Sequence, residues 1–374
     1  MGHPNKRFLF VSAIAIPVIL AVAYLRAAPL ATPAVQIAAG SCDITAPGRI
    51  VAIGDVHGAY DKFLEILREA QLIDKGRKWI GGNATFVQTG DILDRGTDSR
   101  KALDLMRQLE AEAPKSGGRV VFLLGNHELM RMGGDFRYIS DGEYAAFKSA
   151  DAGDMRERLY QHLATQNAAA AKARNEPFDA REFRMAFLAA TPLGSVEMQI
   201  AFAENGEYGK WLREHDIMAR VNGTIFVHGG VNPSSASLGC NGINARARAE
   251  AKTVKATDPN LDRTLTWNAD GPLWFRGIAG VEPVLTDEEL AASLKSLGGT
   301  RIVIGHTVSL NAKIHTLYDG RVFAIDTGML DGLFYPGGEA SALEISGTTV
   351  TAIYVGKKEV IGRGVRPLLS WRQF

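Results

Sequence analysis

The stretch Arg49-Ile50-Val51-Ala52-Ile53-Gly54-Asp55-Val56-His57-Gly58 decides how this chain is read. A short apolar run ends in Gly-Asp. A helical face follows over Ala59 to Ala70, with Phe63, Leu64, Ile66 and Leu67 at helix spacing. The same order returns twice. A strand over Ala84 to Thr89 ends in Gly90-Asp91 and precedes a helix over Ser99 to Glu112. A third strand, over Arg119 to Leu124, ends in Gly125-Asn126-His127. Such alternation predicts a parallel sheet with helices on its faces.

Each polar cluster in these units follows a strand. In open α/β sheets, ligands bind at the carboxyl ends of strands, where loops converge. Two further strands, Thr224 to Val227 and Arg301 to Ile304, lead to His228 and His306. Five strand ends thus offer metal-ligand types: Asp55 with His57, Asp91, Asn126 with His127, His228, and His306. A lone Asp or His after a strand is more often a turn or cap residue. Recurrence at five strand ends carries the reading, because buried carboxylates and imidazoles are costly unless paired or ligated. These donors suit borderline divalent metals such as manganese, iron and zinc. With one bridging carboxylate, such a set holds two ions about 3.5–4 Å apart, an arrangement used for phosphoryl chemistry.

The 374 residues suffice for one large domain or two ordinary ones. Leu129 to Arg220 is rich in Ala, Glu and Arg with helical periodicity, and reads as a helical insertion or cap over about 129–220. Its place after Gly125-Asn126-His127-Glu128 would set it beside the cleft, where it could restrict substrates. Lys313 to Leu317, Arg321 to Ile325, Ala340 to Ile345 and Thr348 to Val355 read as a second, mostly antiparallel sheet. The fold class is α/β with α+β character: two mixed β-sheets packed face to face, helices outside, and the helical insertion.

The order Gly54-Asp55-Val56-His57-Gly58, Gly90-Asp91-Ile92-Leu93-Asp94-Arg95-Gly96, Gly125-Asn126-His127-Glu128, His228-Gly229-Gly230 and Gly305-His306 resembles the phosphoprotein phosphatase group of calcineurin-like metallophosphoesterases. Gly209-Lys210-Trp211-Leu212, Phe226-Val227-His228-Gly229-Gly230-Val231 and Gly271-Pro272-Leu273-Trp274-Phe275-Arg276-Gly277 narrow it toward the bacterial Shewanella-like protein phosphatases. The resemblance covers about Arg49 to Tyr354. It implies that Asp55 and His57 bind one metal, that Asp91 bridges both, and that Asn126, His228 and His306 bind the second. It implies attack on phosphorus by a metal-bridging hydroxide, with Arg95 and, as a second arginine, Arg276 on the phosphate oxygens. His127 would protonate the leaving oxygen and Asp94 would orient it. A phosphoprotein substrate with a leaning to phosphotyrosine follows from the same resemblance.

Two rival readings stand beside it: a small-molecule phosphoesterase such as a dinucleoside polyphosphate hydrolase, and a non-catalytic metal-binding scaffold. The intact set of ligands, acid and arginine speaks against the scaffold. Glu128 reads as a support residue or a helix cap. Asp326 reads as a support for His306 or a turn carboxylate. His162, His215 and His315 read as surface or packing residues. Trp211 and Trp274 read as core or cleft walls, with stacking on an aromatic substrate as the other option.

Net charge is +1, with 22% charged residues, so no basic field for nucleic acid is present. Lys6 and Arg7 precede the charge-free run Phe8 to Leu25. This predicts a signal peptide or membrane anchor over 1–28 and an Ala/Pro-rich linker over 29–46, ahead of a metallophosphoesterase domain over 47–374. Positive charge before the run keeps that end in the cytoplasm and sends the rest across, to the periplasm or its face of the inner membrane. Any membrane contact would come through this segment if uncleaved. The two cysteines, Cys42 and Cys240, would in an exported protein form one disulfide or remain free thiols.

Overall fold

The computed structural model describes residues 42–279 and 284–363. The segment read as a signal or anchor, and the linker up to residue 41, lie outside the described residues. Among the described residues are twelve strands: β1 (Asp43–Ile44), β2 (Ile50–Ile53), β3 (Thr85–Gln88), β4 (Arg119–Phe122), β5 (Met218–Val221), β6 (Thr224–Val227), β7 (Arg301–Ile304), β8 (His315–Leu317), β9 (Val322–Ala324), β10 (Ser341–Ser346), β11 (Thr349–Tyr354) and β12 (Lys357–Arg363). They form two six-stranded sheets, ordered β12-β11-β10-β2-β3-β4 and β1-β5-β6-β7-β9-β8.

Period-2 alternation explains the sandwich. Ile50 and Ala52 of β2 join Val87, Ala219, Phe226, Val303, Phe323 and Leu343 in the layer between the sheets. Val51 and Ile53, one residue over, pack with the outer helices instead. Among these are α1 (Tyr60–Glu69) and α2 (Ser99–Glu112). β2, β3 and β4 run parallel in register, Ile50 beside Thr85 and Thr85 beside Arg119. β6, β7 and β9 are likewise parallel. All five ligand-bearing strand ends therefore point the same way within their own sheets.

The expected second antiparallel sheet is not one sheet. β8 and β9 join β7, whereas β10 and β11 extend the first sheet from β2. Val322, Phe323 and Ala324 are all buried, which suits an inner strand beside β7. β10 and β11 pair as a hairpin around Gly347, and β10 covers the free edge of β2. β12 pairs with β11 as the edge strand of that sheet, and its Lys357, Lys358 and Glu359 are exposed.

The helical insertion comprises α3 (Asn126–Gly133), α4 (Asp141–Phe147), α5 (Ala152–Ala173), α6 (Ala180–Ala190), α7 (Ser195–Phe202) and α8 (Glu207–Leu212). It ends at Leu212, earlier than the sequence reading, because Met218–Val221 is a strand that turns at Asn222-Gly223 into β6. Tyr160, Leu163 and Phe187 give α5 and α6 a small core of their own. Beyond β6 come α9 (Pro233–Ala236), α10 (Gly239–Thr253) and α11 (Asp287–Ser296). Asp43 and Ile44, in the range read as linker, pair with Arg220 and Val221. Cys42 is disulfide-bonded to Cys240 of α10, with 6.0 Å between Cα atoms, so the open thiol question resolves to a bond.

Candidate active site

Asp55 and His57 follow β2, Asp91 follows β3, Asn126 and His127 open α3 after β4, and His228 and His306 follow β6 and β7. All seven side chains are buried. Asp91 is the centre. Its Oδ2 lies 3.1 Å from His228 Nε2, 3.7 Å from His57 Nε2 and 3.9 Å from His127 Nε2. His228 Nε2 also lies 2.9 Å from Asn126 Oδ1, and His57 Nε2 lies 3.8 Å from Asp55 Oδ2. His57, Asp91 and His127 form one group able to hold a cation; Asp91, His228 and His306 form another.

Backbone strain marks the same positions. His57 (φ 47°), Asp91 (φ 57°), Asp94 (φ 71°), Arg95 (φ 68°) and His306 (φ 61°) all adopt left-handed conformations that cost about 1–3 kcal/mol each. They persist because the surroundings over-determine them. The Glu128 carboxylate accepts the amide hydrogens of Asp91 (2.8 Å), Ile92 (2.9 Å), Leu93 (3.2 Å) and Gly125 (2.8 Å). It thus caps α3 and clamps the loop after β3 with one group, which joins the two roles considered for it. Gly125 must be glycine, since a Cβ there would strike the Asp91 carboxylate.

The ring tautomers are set from behind. His57 Nδ1 donates to the Leu93 carbonyl at 2.8 Å, and His228 Nδ1 to the Thr89 carbonyl at 3.1 Å. His228 Nε2 therefore faces Asp91 and Asn126 oxygens that can only accept, so a proton or a metal cation must lie between them, whereas His57 Nε2 also meets the Arg95 guanidinium. His306 Nε2 is buried with no hydrogen-bond partner. Burial raises the Asp55 carboxyl, helped by Asp326, whereas Asp91 is held well below the usual carboxylate range by His228 and His127 in spite of burial. Burial and His127 pull His57 down to about 3, and burial and His228 keep His306 well below an ordinary imidazole. His228 resists its burial and is pushed up to about 9 by Asp91 and Asp55. Two carboxylates favour positive charge at this spot, and lone pairs converge on it. A pair of divalent cations fits that donor set.

His127 differs from the other imidazoles. Its Nδ1 sits 2.6 Å from Asp94 Oδ2, and Asp91 and Asp94 lift its pKa against the effect of burial. The other Asp94 oxygen meets Arg131, which also reaches Glu143 at 2.7 Å. Arg95 Nη1 touches His57 Nε2 and the Tyr335 hydroxyl. Arg276 donates to the carbonyl of His306 and so stands at the rim.

A sequence profile of the calcineurin-like phosphoesterases matches residues 48–310. The chain belongs to that family. It is 30% identical to Shewanella-like protein phosphatase 2 of Arabidopsis thaliana, over 76% of this chain and 72% of that protein. It is also 30% identical to an uncharacterized protein of Schizosaccharomyces pombe, over 83% of this chain and 82% of that one. The crystal structure of the cold-active protein-tyrosine phosphatase of a psychrophilic Shewanella species is similar, with a TM-score of 0.63 at 26% identity; the match covers 86% of this chain and 82% of that one. This calcineurin-like phosphoesterase is a metal-dependent phosphatase.

Several residues of the phosphatase were not legible in advance. Tyr138 and Tyr335 flank Arg95, and Arg131 with Glu143 backs Asp94; none of these four stands in a motif. Asp326 is buried beside Asp55, and its Oδ1 accepts the Gly328 amide hydrogen at 3.0 Å, so it is a turn carboxylate pressed against a proposed ligand. Trp274 meets the His306 ring edge-on at 5.9 Å and forms a cleft wall, while Trp211 stacks on Phe122 at 5.2 Å away from the site. His215 is a packing residue held by Glu110 at 2.7 Å, His315 bonds to Ser309 and Asn311, and His162 is exposed. The insertion does reach the site: Ser140 Oγ donates to the Gly96 carbonyl at 2.7 Å, next to Arg95.

Proposed function

We propose that this phosphatase hydrolyses phosphate monoesters of proteins, with a leaning to phosphotyrosine, at the cluster around Asp91. One observation carries the reading. His228 Nε2, with its Nδ1 proton committed to the Thr89 carbonyl, faces Asp91 Oδ2 and Asn126 Oδ1, an arrangement of acceptors that calls for a cation. Asp55, His57 and Asp91 would hold one ion; Asp91, Asn126, His228 and His306 would hold the second, with manganese, iron or zinc suiting this set. When bound, two such ions polarise the phosphoryl group and lower the pKa of an attacking water.

The chain's own residues do the rest. Arg95 and Arg276 bind phosphate oxygens with planar forks that match their geometry. His127 keeps its proton because Asp94 and Asp91 favour the charged ring, and it gives that proton to the leaving oxygen from Nε2. Its Nδ1 is committed to Asp94 Oδ2 at 2.6 Å, which leaves Nε2 as the atom that faces the reacting oxygen. Arg131 holds Asp94 in place from the far side. Burial of the whole cluster excludes bulk water and strengthens each of these interactions.

The leaning to phosphotyrosine is supported by the similar Shewanella enzyme, described as a protein-tyrosine phosphatase. Steady-state assays on the metal-analysed protein test it, using phosphotyrosine and phosphoserine peptides of matched sequence. A higher kcat/KM for phosphotyrosine is expected; equal or absent turnover of phosphotyrosine contradicts it.

The same proposal places the domain outside the cytoplasm, behind a signal or anchor over 1–28 and the linker read over 29–46, of which Asp43 and Ile44 join the second sheet. The Cys42–Cys240 bond supports an oxidising compartment. Both thiols should resist alkylation in protein taken from the periplasm without reductant, and free labelling of either contradicts the placement.

A further inference from the structure

Tyr138 is 42% exposed, yet its ring is held from three sides. The Arg95 guanidinium carbon lies 5.6 Å from its centroid, that of Arg137 lies 5.6 Å away, and the His127 ring centroid lies 5.2 Å away. Arg137 is fixed in turn by both oxygens of Asp135, at 2.7–3.0 Å. The backbone adds a fourth hold, since the Arg95 amide donates to the Tyr138 carbonyl at 2.8 Å. Tyr335 also flanks Arg95: its ring centroid is 5.5 Å from the guanidinium and its hydroxyl meets Nη1. Its position is fixed by a tight loop: the Gly338 amide donates to the Tyr335 carbonyl, and Asp331 Oδ1 accepts from Gly332 and Gly337. Arg95 is therefore held by two tyrosines, one of which also touches the proposed acid.

These contacts fix where a leaving group must lie. The ester oxygen that receives the proton is the one next to His127 Nε2. The carbon attached to that oxygen then lies beside whatever flanks His127 and Arg95 on the open side, and that is the exposed ring of Tyr138. A flat aryl group there meets an aromatic face in offset or edge-on contact, whereas a single methylene leaves the ring largely uncovered.

We propose that Tyr138 is a specificity-determining residue that favours aryl over alkyl phosphate esters by receiving the leaving group's ring, with Tyr335 holding Arg95 against it. This rests on the phosphomonoesterase reading above and names the substrate class within it. The reaction is unchanged: the P–O bond to the leaving group breaks, water supplies the new P–O bond, and the leaving oxygen takes one proton.

The test uses the full chain with its metals, as wild type, Y138F and Y138L. Tyr138 is exposed, and thermal melts of Y138F and Y138L that match wild type show that both variants fold. The readout is the ratio of kcat/KM for phenyl phosphate to that for an alkyl phosphate. Y138L should lower this ratio roughly three- to tenfold, and Y138F should preserve it. Calorimetric binding of phenylphosphonate against methylphosphonate, neither of which turns over, gives a second readout. The phenyl compound should bind more tightly to wild type and lose that advantage in Y138L. An unchanged ratio in Y138L, an equal loss for both ester classes, or equal binding of the two phosphonates by wild type overturns the proposal. Absence of any ester turnover by wild type would defeat the phosphomonoesterase reading instead, and the phosphonate comparison would still decide the role of Tyr138.

Discussion

The two sheets contribute to the site in different ways. The first sheet delivers Asp55, His57, Asp91, Asp94, Arg95, Asn126 and His127 from three successive strand ends. That half is a polar network: Glu128 clamps four amides, Asp94 joins His127 to Arg131, and four of the left-handed residues are here. The second sheet delivers His228 and His306, and with them Arg276 from a later loop. That half is held by close packing. A Cβ at Gly229 would meet the backbone of Leu273 at 2.8 Å, and one at Gly230 would meet the Phe275 carbonyl at 2.9 Å. Chemistry that needs exact charge placement sits on the networked half. The packed half supplies lone pairs, and Asp91 is where the halves meet.

That contrast is broken hardest at Asp91. In D91N the shared carboxylate becomes an amide, and phosphatase activity should fall on the order of 10³-fold, with metal content falling in parallel. Activity close to wild type in steady-state assays would remove Asp91 from the centre of the mechanism.

The next largest effect separates acid from ligand within the networked half. H127N should lose roughly 10²–10⁴-fold toward alkyl phosphates and much less toward p-nitrophenyl phosphate, whose leaving oxygen needs little protonation. Its metal content should stay at the wild-type value. Equal losses on both substrates, together with lost metal, would make His127 a ligand.

Glu128 tests whether the network itself is structural. E128A strands four buried amide hydrogens, and chemical denaturation should show a loss of about 3–5 kcal/mol. A change below about 1 kcal/mol would mean that the loop after β3 is held by other contacts.

How far these halves were legible from sequence follows the same line. The networked half was, because its chemistry lies in contiguous motifs whose spacing is set by strand, turn and helix. His228 and His306 were also found, each by its place after an apolar strand. Sheet membership of β8 to β11 was not, since strand pairing is decided by distant partners: β10 seeks the edge of β2 nearly three hundred positions away. β1 is two residues long and exists only through β5. Tyr138 and Tyr335 were missed because ring contacts with Arg95 come from loops with no fixed spacing to a motif.

The smallest effect lies on the segment leading from the insertion into β5. Burial alone would lower the pKa of His215, but Glu110 more than offsets it and holds the imidazole above its usual 6.5. A raised folded-state pKa contributes stability in full below the unfolded value and loses it as pH climbs through the folded one. The stability gap between wild type and H215Q should therefore be greatest below about pH 6.5, on the order of 1 kcal/mol, and shrink above it. A gap that widens with pH in parallel melts would show that His215 is buried neutral.

The most direct measurement is the metal count per chain of the purified protein, by mass spectrometry of the elements, for wild type and for a variant carrying H228N and H306N. Two ions shared between the sheets require close to two per chain in wild type and close to one in the variant, the remaining ion being held by Asp55, His57 and Asp91. A wild type that binds no more than one ion at saturation, or a variant that keeps two, would contradict a centre built from both sheets.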